Sequence, residues 1–308
     1  MEKDTTRLKE MFRRNFPAAV REEETVDRLL SNPENRVFFA DEAGAAVLTQ
    51  NNVLLLAVDE AFRRRGIGSA LLEECEKAAR AAGFSKLTVG AGAGGYLVPG
   101  VPTSRQPWPE TLREERLDPR LTPDAAEFFA KRGYRHAWRG ANCFDMRLSW
   151  DEFPPVEKKL GEEWDGVLYR FAVKEDMPRV RLCTDDIEED FTPYYMDPAL
   201  YSGHGRQKVL VAEEKGEIVG TLIVGLEDEA PGLGSVGCTA VRHASRGRHI
   251  ATRMILLGTA YCKESGMDSA GLGYTYSGLD RLYGHAGYRI SSYYFMAEKE
   301  LAPPSGED

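Results

Sequence analysis

Two short basic segments carry residue types that suit a phosphate group. Arg63-Arg64-Arg65-Gly66-Ile67-Gly68-Ser69 follows the apolar run Leu54–Val58 and precedes a stretch where Leu71, Leu72, Cys75 and Ala78-Ala79 recur at near-helical spacing. A helix starting at this point presents backbone N–H groups without partners and a partial positive charge, which suits a pyrophosphate. Gly66 and Gly68 let a phosphate approach the backbone closely, and the three arginines add positive charge. A second segment, Arg246-Gly247-Arg248-His249-Ile250-Ala251, follows Cys238–Val241. The pair Arg64-Arg65 also fits an ordinary solvated face, so both readings stand at this point.

Other candidate motifs fail on context. Gly90-Ala91-Gly92-Ala93-Gly94-Gly95 and Gly232-Leu233-Gly234-Ser235-Val236-Gly237 both match a dinucleotide fingerprint. That fingerprint requires a helix directly afterwards. The first runs into Tyr96–Pro102, rich in Pro and Gly, and the second into a strand pattern. The cysteines Cys75, Cys143, Cys183, Cys238 and Cys262 are scattered, with no C-x-x-C and no histidine at zinc spacing. They read as reduced, buried thiols, and no metal site is expected.

The elements that position the basic segments occur twice. Ala57 and Ala240 are 183 positions apart (240 − 57), as are Arg63 and Arg246, Gly83 and Gly266, and Gly90 and Gly273. Downstream, Phe128–Arg135 matches Leu282–Arg289 at an offset of 154 (287 − 133). The first half therefore carries 29 extra residues (183 − 154) in a Pro- and Gly-rich stretch, Gly94–Pro123, expected to be a long loop. Each half reads as a hairpin (Val37–Ala40 with Ala45–Thr49; Val209–Ala212 with Ile218–Val224) and then a strand (Val53–Val58; Ser235–Val241). A helix ended by Gly83 or Gly266 follows, then a strand (Lys86–Val89; Ser269–Leu272) and a short helix ended by Gly133 or Gly287. The expected division is 1–150, a linker at 151–163 around Pro154-Pro155, and 164–308.

Strand, Arg63-Arg64-Arg65-Gly66-Ile67-Gly68, helix, Gly, strand and finally Phe128–Arg135 together resemble the GNAT acetyltransferase superfamily. The second half, ending in Leu282-Tyr283-Gly284-His285-Ala286-Gly287-Tyr288, resembles another copy. The resemblance implies an α/β fold (α+β, with a mixed, partly splayed sheet) in two tandem GNAT-like domains. It implies acetyl-CoA or another acyl-CoA as donor, with pyrophosphate on the loop Arg63–Ser69. It also implies a pantetheine arm along the preceding strand at Leu56–Val58. In the second half the corresponding residues are Val241, Arg246, His249 and Ala251.

The halves depart from the family pattern in complementary ways. Many relatives carry a tyrosine that protonates the departing thiolate; that position is Phe129 in the first half and Tyr283 in the second. A phenol with a pKa of ~10 can serve a thiolate of pKa ~8.5 where the site favours the transfer. Tyr283 is thus the catalytic candidate, the alternative being a packed tyrosine with a locally satisfied hydroxyl. His249 stands where the first half has Gly66. It is either tolerated for its backbone N–H, or a source of charge toward phosphate when protonated, or the mark of a loop that no longer binds CoA. No carboxylate lies on Val53–Val58 or Ser235–Val241, so the general base is not assigned; Asp280, His243 and His285 are conceivable.

Composition sets the partners. The chain has 40 Lys plus Arg against 49 Asp plus Glu, a formal charge of −9, which argues against nucleic acid. Its apolar runs are far shorter than the ~20 residues of a membrane span. The charged start Met1-Glu2-Lys3-Asp4 does not read as a signal peptide, so a cytoplasmic protein is expected. After residue 160 tyrosine is common; Tyr194, Tyr195 and Tyr201, preceded by Asp185, Asp186, Glu188, Glu189 and Asp190, either cover a cationic acceptor or form ordinary core beside a solvated acidic face. The expected activity is N-acetyl transfer from acetyl-CoA to the primary amine of a small molecule. The rivals are an acyl-CoA sensor without turnover and a peptide or protein N-acetyltransferase. The sequence leaves open whether the chain forms oligomers.

Overall fold

Tight polar turns set the first sheet. In the computed structural model, Asp41 takes a φ of 42° between β1 (Asn35–Ala40) and β2 (Gly44–Thr49), and Gln50 a φ of 53° between β2 and β3 (Asn52–Val58). The three strands pair antiparallel in sequence. The model describes residues 2–16, 23–90, 97, 101–102, 123–136, 143–187, 189–227, 231–276, 278–294 and 296–301. Most of the Gly94–Pro123 loop and of the Gly90–Gly95 motif, as well as Glu188, lies outside these residues.

The described residues form two compact units, the second comprising Asp145–Ser291 and the first the chain through Phe144 and from Ser292 onward. The first unit opens with α1 (Glu2–Asn15) and α2 (Glu23–Leu30), continues through β1–β3 to α3 (Ile67–Ala81) and β4 (Lys86–Val89), and then holds β5 (Val101–Pro102), α4 (Pro123–Ala130) and β6 (Arg135–His136). Its sheet has the order β1-β2-β3-β4-β15-β6, where β15 is Ala297–Glu300 from the far end of the chain. Leu71, Leu72, Cys75 and Ala79 of α3 cover one face, packed on Leu48, Val53 and Leu87. Leu8, Met11 and Phe12 of α1 cover the other, with Ala45, Val47 and Leu55. With both faces covered, every residue of β2 is buried.

The second unit starts within β7 (Cys143–Leu148). It continues through β8 (Glu163–Trp164), β9 (Val167–Phe171), α5 (Met177–Asp185), β10 (Gln207–Glu214), β11 (Glu217–Leu226), β12 (Leu233–Val241), α6 (Ile250–Glu264), β13 (Ser269–Tyr276), α7 (Asp280–Gly284) and β14 (Arg289–Tyr294). The second sheet has the order β5-β14-β7-β13-β12-β11-β10-β9-β8. Each sheet therefore includes strands from the other half of the sequence: β15 lies in the first, and β5 and β7 lie in the second. The Gly232–Gly237 motif runs into β12, as its strand pattern implies.

In both units the strand before the basic loop pairs only briefly with its parallel neighbour. β3 meets β4 at Asn52↔Thr88 and Val53↔Val89. β12 meets β13 at Leu233↔Ser269, Gly234↔Ala270 and Ser235↔Gly271. Past these points no ladder pairing joins them, and the strands splay. The later part of each strand becomes partly accessible: Leu56 and Val58 in β3, and Gly237, Cys238 and Thr239 in β12, are half-exposed. Both strands also carry a register shift against the preceding hairpin strand, at Val47/Leu48 and at Thr221/Ile223. The mixed, partly splayed sheet expected from the sequence is present twice.

Candidate functional site

The basic loops have one backbone conformation built from different residues. After β3 a single turn at Glu60–Phe62 leads to Arg63 in extended conformation, then Arg64 at φ 65° and Gly66 at φ 84° before α3 begins at Ile67. After β12 a turn at His243–Ser245 leads to extended Arg246, then Gly247 at φ 77° and His249 at φ 61° before α6 begins at Ile250. Arg64 and Gly247 share one left-handed position of the loop, and Gly66 and His249 the other. His249 therefore keeps the geometry that Gly66 provides, in a region histidine enters more readily than most residues.

Both loops place a helix start next to the splayed strand. The first helical bonds run from Ala70 N–H to Gly66 O (3.0 Å) and from Arg253 N–H to His249 O (3.0 Å). The N–H groups of Ile67, Gly68 and Ser69, and of Ile250, Ala251 and Thr252, precede those bonds. Arg63 and Arg246 brace the loops from behind. Arg63 Nε donates to Val58 O at 2.9 Å and Arg246 Nε to Val241 O at 3.2 Å. Arg63 Nη2 also reaches Asn15 Oδ1 at 3.1 Å. Arg65 is exposed, its guanidinium 5.6 Å from the Phe62 ring.

A cavity of ≈ 240 Å³ sits at the α3 start, lined by Arg64, Gly66, Gly68, Ser69, Lys131 and Arg132 among others. A side chain at Gly68 would press on the Phe128 ring, 3.3 Å from the added carbon. Arg132 lies over that ring at 3.7 Å, donates to Phe128 O at 2.6 Å and donates to Ser69 Oγ. Lys131 and Arg132 were not among the residues singled out from sequence. Their signal was the basic pair just before Gly133, where the second half has His285-Ala286.

The tyrosine position separates the units. Tyr283 is 3% exposed, and its hydroxyl lies 2.9 Å from Thr239 Oγ1 on the accessible part of β12. Its ring packs edge-on against Tyr288 at 5.9 Å. Phe129 instead packs edge-on between Phe128 and Tyr134 in an apolar core that includes Leu56. Beside each, a second tyrosine is anchored to its long helix: Tyr134 donates to Glu76 (3.0 Å), and the Tyr288 hydroxyl pairs with Thr259 (2.8 Å).

The remaining candidates differ in exposure and in partners. His243 is exposed, with its N–H on Asp186 Oδ2 (2.9 Å) and its Nδ1 beside Asp186 O (2.8 Å). That backbone N–H is the main cause holding the Asp186 carboxyl below its usual range. Asp280 accepts from Gly278 N–H at 3.0 Å, and His285 is exposed. Tyr195 and Tyr201 are buried core, while Tyr194 is 62% exposed. Burial drives the Tyr195 phenol well above its usual value, and its hydroxyl donates to Cys238 O. The cysteines form no disulfide; burial pushes the Cys75 and Cys183 thiols up to about 12, unreactive as nucleophiles. Among the described residues no group of His, Cys, Asp and Glu is placed to hold a metal, and no helix is long and apolar enough to cross a membrane.

Comparison with known families places both copies of this loop within one family. Residues 33–136 match the model of the acetyltransferase (GNAT) domain, and residues 173–288 that of the acetyltransferase (GNAT) family. The chain belongs to the GNAT acetyltransferase family, with two such domains in tandem. Its fold is similar to the glucosamine N-acetyltransferase region of a fungal multi-domain GH3 β-N-acetylglucosaminidase, with a TM-score of 0.71 and 15% identity over 97% of this chain. This chain spans 37% of that longer protein. It is similar to a tandem GNAT protein of the clavulanic acid biosynthesis pathway, with a TM-score of 0.62 and 17% identity, covering 99% of this chain and 97% of that one. A GCN5-related N-acetyltransferase of Sphaerobacter thermophilus gives 0.61 and 18%, covering 98% and 94%. Among curated proteins no sequence matches. In this tandem GNAT protein each family match spans one basic loop and its splayed strand.

Proposed function

We propose that this protein transfers an acetyl group from acetyl-CoA to the primary amine of a small molecule, with the chemistry in the second unit at Tyr283. The carrying observation is the Tyr283 hydroxyl held at the accessible, splayed part of β12 beside the α6 start. Residues of both units fit an acyl-CoA: a left-handed loop ahead of a helix start suits a diphosphate, and a strand edge without ladder partners suits an amide-bearing arm. Arg64, Gly66, Ile67, Gly68, Ser69 and Arg132 would hold the diphosphate in the first unit; Gly247, His249, Ile250 and Ala251 would do so in the second. Acetyl-CoA, when bound, supplies the acetyl group as a thioester. Tyr283 holds a proton for the leaving sulfur, and backbone N–H groups near the β12 bulge favour the charge that develops on the carbonyl oxygen. The first unit lacks that phenol but has the cavity with Lys131 and Arg132, which favours binding without turnover there.

The test pairs calorimetry with thiol release. Ser69→Asp and Thr252→Asp each place a carboxylate at a helix start, where it favours the helix yet repels phosphate. The expected result is two acetyl-CoA sites per chain, each lost with its own variant, and CoA release with a small-amine panel starting from glucosamine. Tyr283→Phe is expected to lower kcat at least tenfold with acetyl-CoA affinity unchanged. One site lost only in Ser69→Asp, with no thiol release, would replace the enzyme by an acyl-CoA sensor. Preference for lysine-bearing peptides over small amines would move the acceptor class to proteins.

A further inference from the structure

Tyr283 and Thr239 form a pair of hydroxyls, and the fold goes to some length to bring them together. Thr239 follows Cys238, whose φ of 50° lies at the register shift between β11 and β12. A bulge of this kind re-aims the side chains next to it. Here it is braced from behind: buried Tyr195 donates to Cys238 O, and Tyr201 donates to Tyr195 O at 2.9 Å. The outcome is Thr239 Oγ1 at 2.9 Å from the phenol.

The internal repeat supplies a control. At an offset of 183, Thr239 corresponds to Leu56 (239 − 56); at an offset of 154, Tyr283 corresponds to Phe129 (283 − 129). Leu56 packs against the apolar core containing Phe129. The same two positions thus hold two hydroxyls in one unit and none in the other. A buried tyrosine needs a hydrogen-bond partner whether it packs or reacts; an acid needs that partner to be a donor, for the anion it becomes.

Resting on the proposed chemistry at Tyr283, we infer that Thr239 is a positioning residue that donates its hydroxyl hydrogen to the Tyr283 oxygen. With Thr239 as donor, the phenolic proton is not spent on Thr239. As the C–N bond to the amine forms and the C–S bond breaks, Tyr283 gives that proton to the departing sulfur. Thr239 then donates to the tyrosinate, a charge-assisted bond stronger than the neutral one it replaces. The surplus proton of the amine goes to water, and Tyr283 regains one from water, so protons balance over the cycle.

Thr239→Val and Thr239→Ser test this in the full-length chain beside Tyr283→Phe. With acetyl-CoA and glucosamine, or another amine accepted in the panel, Thr239→Val is expected to lower kcat about tenfold with KM for acetyl-CoA unchanged, and Thr239→Ser to restore it. A second readout needs no turnover: in protein labelled with ¹³C at tyrosine Cζ, the resonance missing from Tyr283→Phe is titrated. Its midpoint is expected to rise by about one unit in Thr239→Val and to return in Thr239→Ser. Tyr288 and Tyr195, the titratable neighbours of Tyr283, stay in all three variants as internal references. An unmoved midpoint in Thr239→Val, or one shifted equally in Thr239→Ser, overturns the positioning role. Full activity in Tyr283→Phe overturns the underlying reading instead, and loss in Tyr283→Phe beside wild-type rates in Thr239→Val overturns this inference alone.

Discussion

His249 shows how a residue that looks like a departure from the family pattern can preserve the loop. The left-handed region costs most L-residues roughly 1–2 kcal/mol, less for His, Asn and Asp, and nothing steric for glycine. Each loop occupies that region twice and provides one glycine: Gly66 beside Arg64 in the first, Gly247 beside His249 in the second. His249→Gly is therefore expected to raise stability by on the order of 0.5 kcal/mol or slightly more, and Gly66→Ala to lower it by about 1 kcal/mol. Denaturant midpoints at constant m-value read both; a destabilised His249→Gly would mean that the loop does not need a left-handed residue there. The sequence made the position of His249 visible but not its backbone. It showed the glycine moving between two positions without showing that both positions are left-handed.

At the level of elements, a charged cluster fixes the start of α5 to the sheet of the second unit. Asp176 is 1% exposed and accepts from Arg170 Nη1 (2.6 Å), Val173 N–H (2.8 Å) and Arg179; Arg170 also reaches Glu213 on β10. Burial alone would raise the Asp176 carboxyl, but hydrogen bonds from Arg170 and Val173 outweigh it and hold it at about 2. The folded value lies below the unfolded one, so the stabilisation is complete above about pH 4 and is lost as pH falls toward 2. Asp176→Asn is expected to cost about 3 kcal/mol at pH 7 and to flatten the acid limb of the stability curve; an unchanged limb would remove Asp176 as its source. Periodicity and turn residues made the strands, α3, α6 and the glycine stops legible. Gly83 and Gly266 do take left-handed φ values of 85° and 83°. The Arg63 and Arg246 side chains were expected near phosphate, yet each spends its Nε on the carbonyl that ends its strand, because a loop leaving a splayed strand needs that oxygen satisfied. Arg132 and Thr239 were missed for a common reason. Each bonds a residue of the other repeated block, Ser69 and Tyr283, and one-dimensional matching at offsets of 183 and 154 treats those blocks separately.

Across the whole chain, the strand exchange is the feature least visible in sequence, since periodicity marks a strand without naming its sheet. β15 inserts between β4 and β6 of the first unit, with Ala297↔Val89 and Ala297↔His136 in register. Its side chains complete that unit's core and its buried charges. Ala297 and Leu301 belong to the cluster around Leu72 and Leu87. Lys299 Nζ donates to Glu76 Oε1 at 2.8 Å, the oxygen that also accepts from Tyr134. Glu76 is 7% exposed, and without Lys299 its nearest remaining cation is Arg80 at 3.8 Å. Ending the chain after Tyr294 should therefore damage the start of the sequence. The expected loss is several kcal/mol, from the exposed β4 edge, the opened core and a buried carboxylate deprived of its lysine. Hydrogen exchange on the truncated chain locates it: amides of α3 and β4 are expected to lose protection while those of β10 and β11 in the second unit keep theirs. Lys299→Met, which retains the strand and its packing but not the charge, is expected to show a smaller loss centred on Glu76. Equal loss in both units, or none in either, would contradict the placement of β15 in the first sheet.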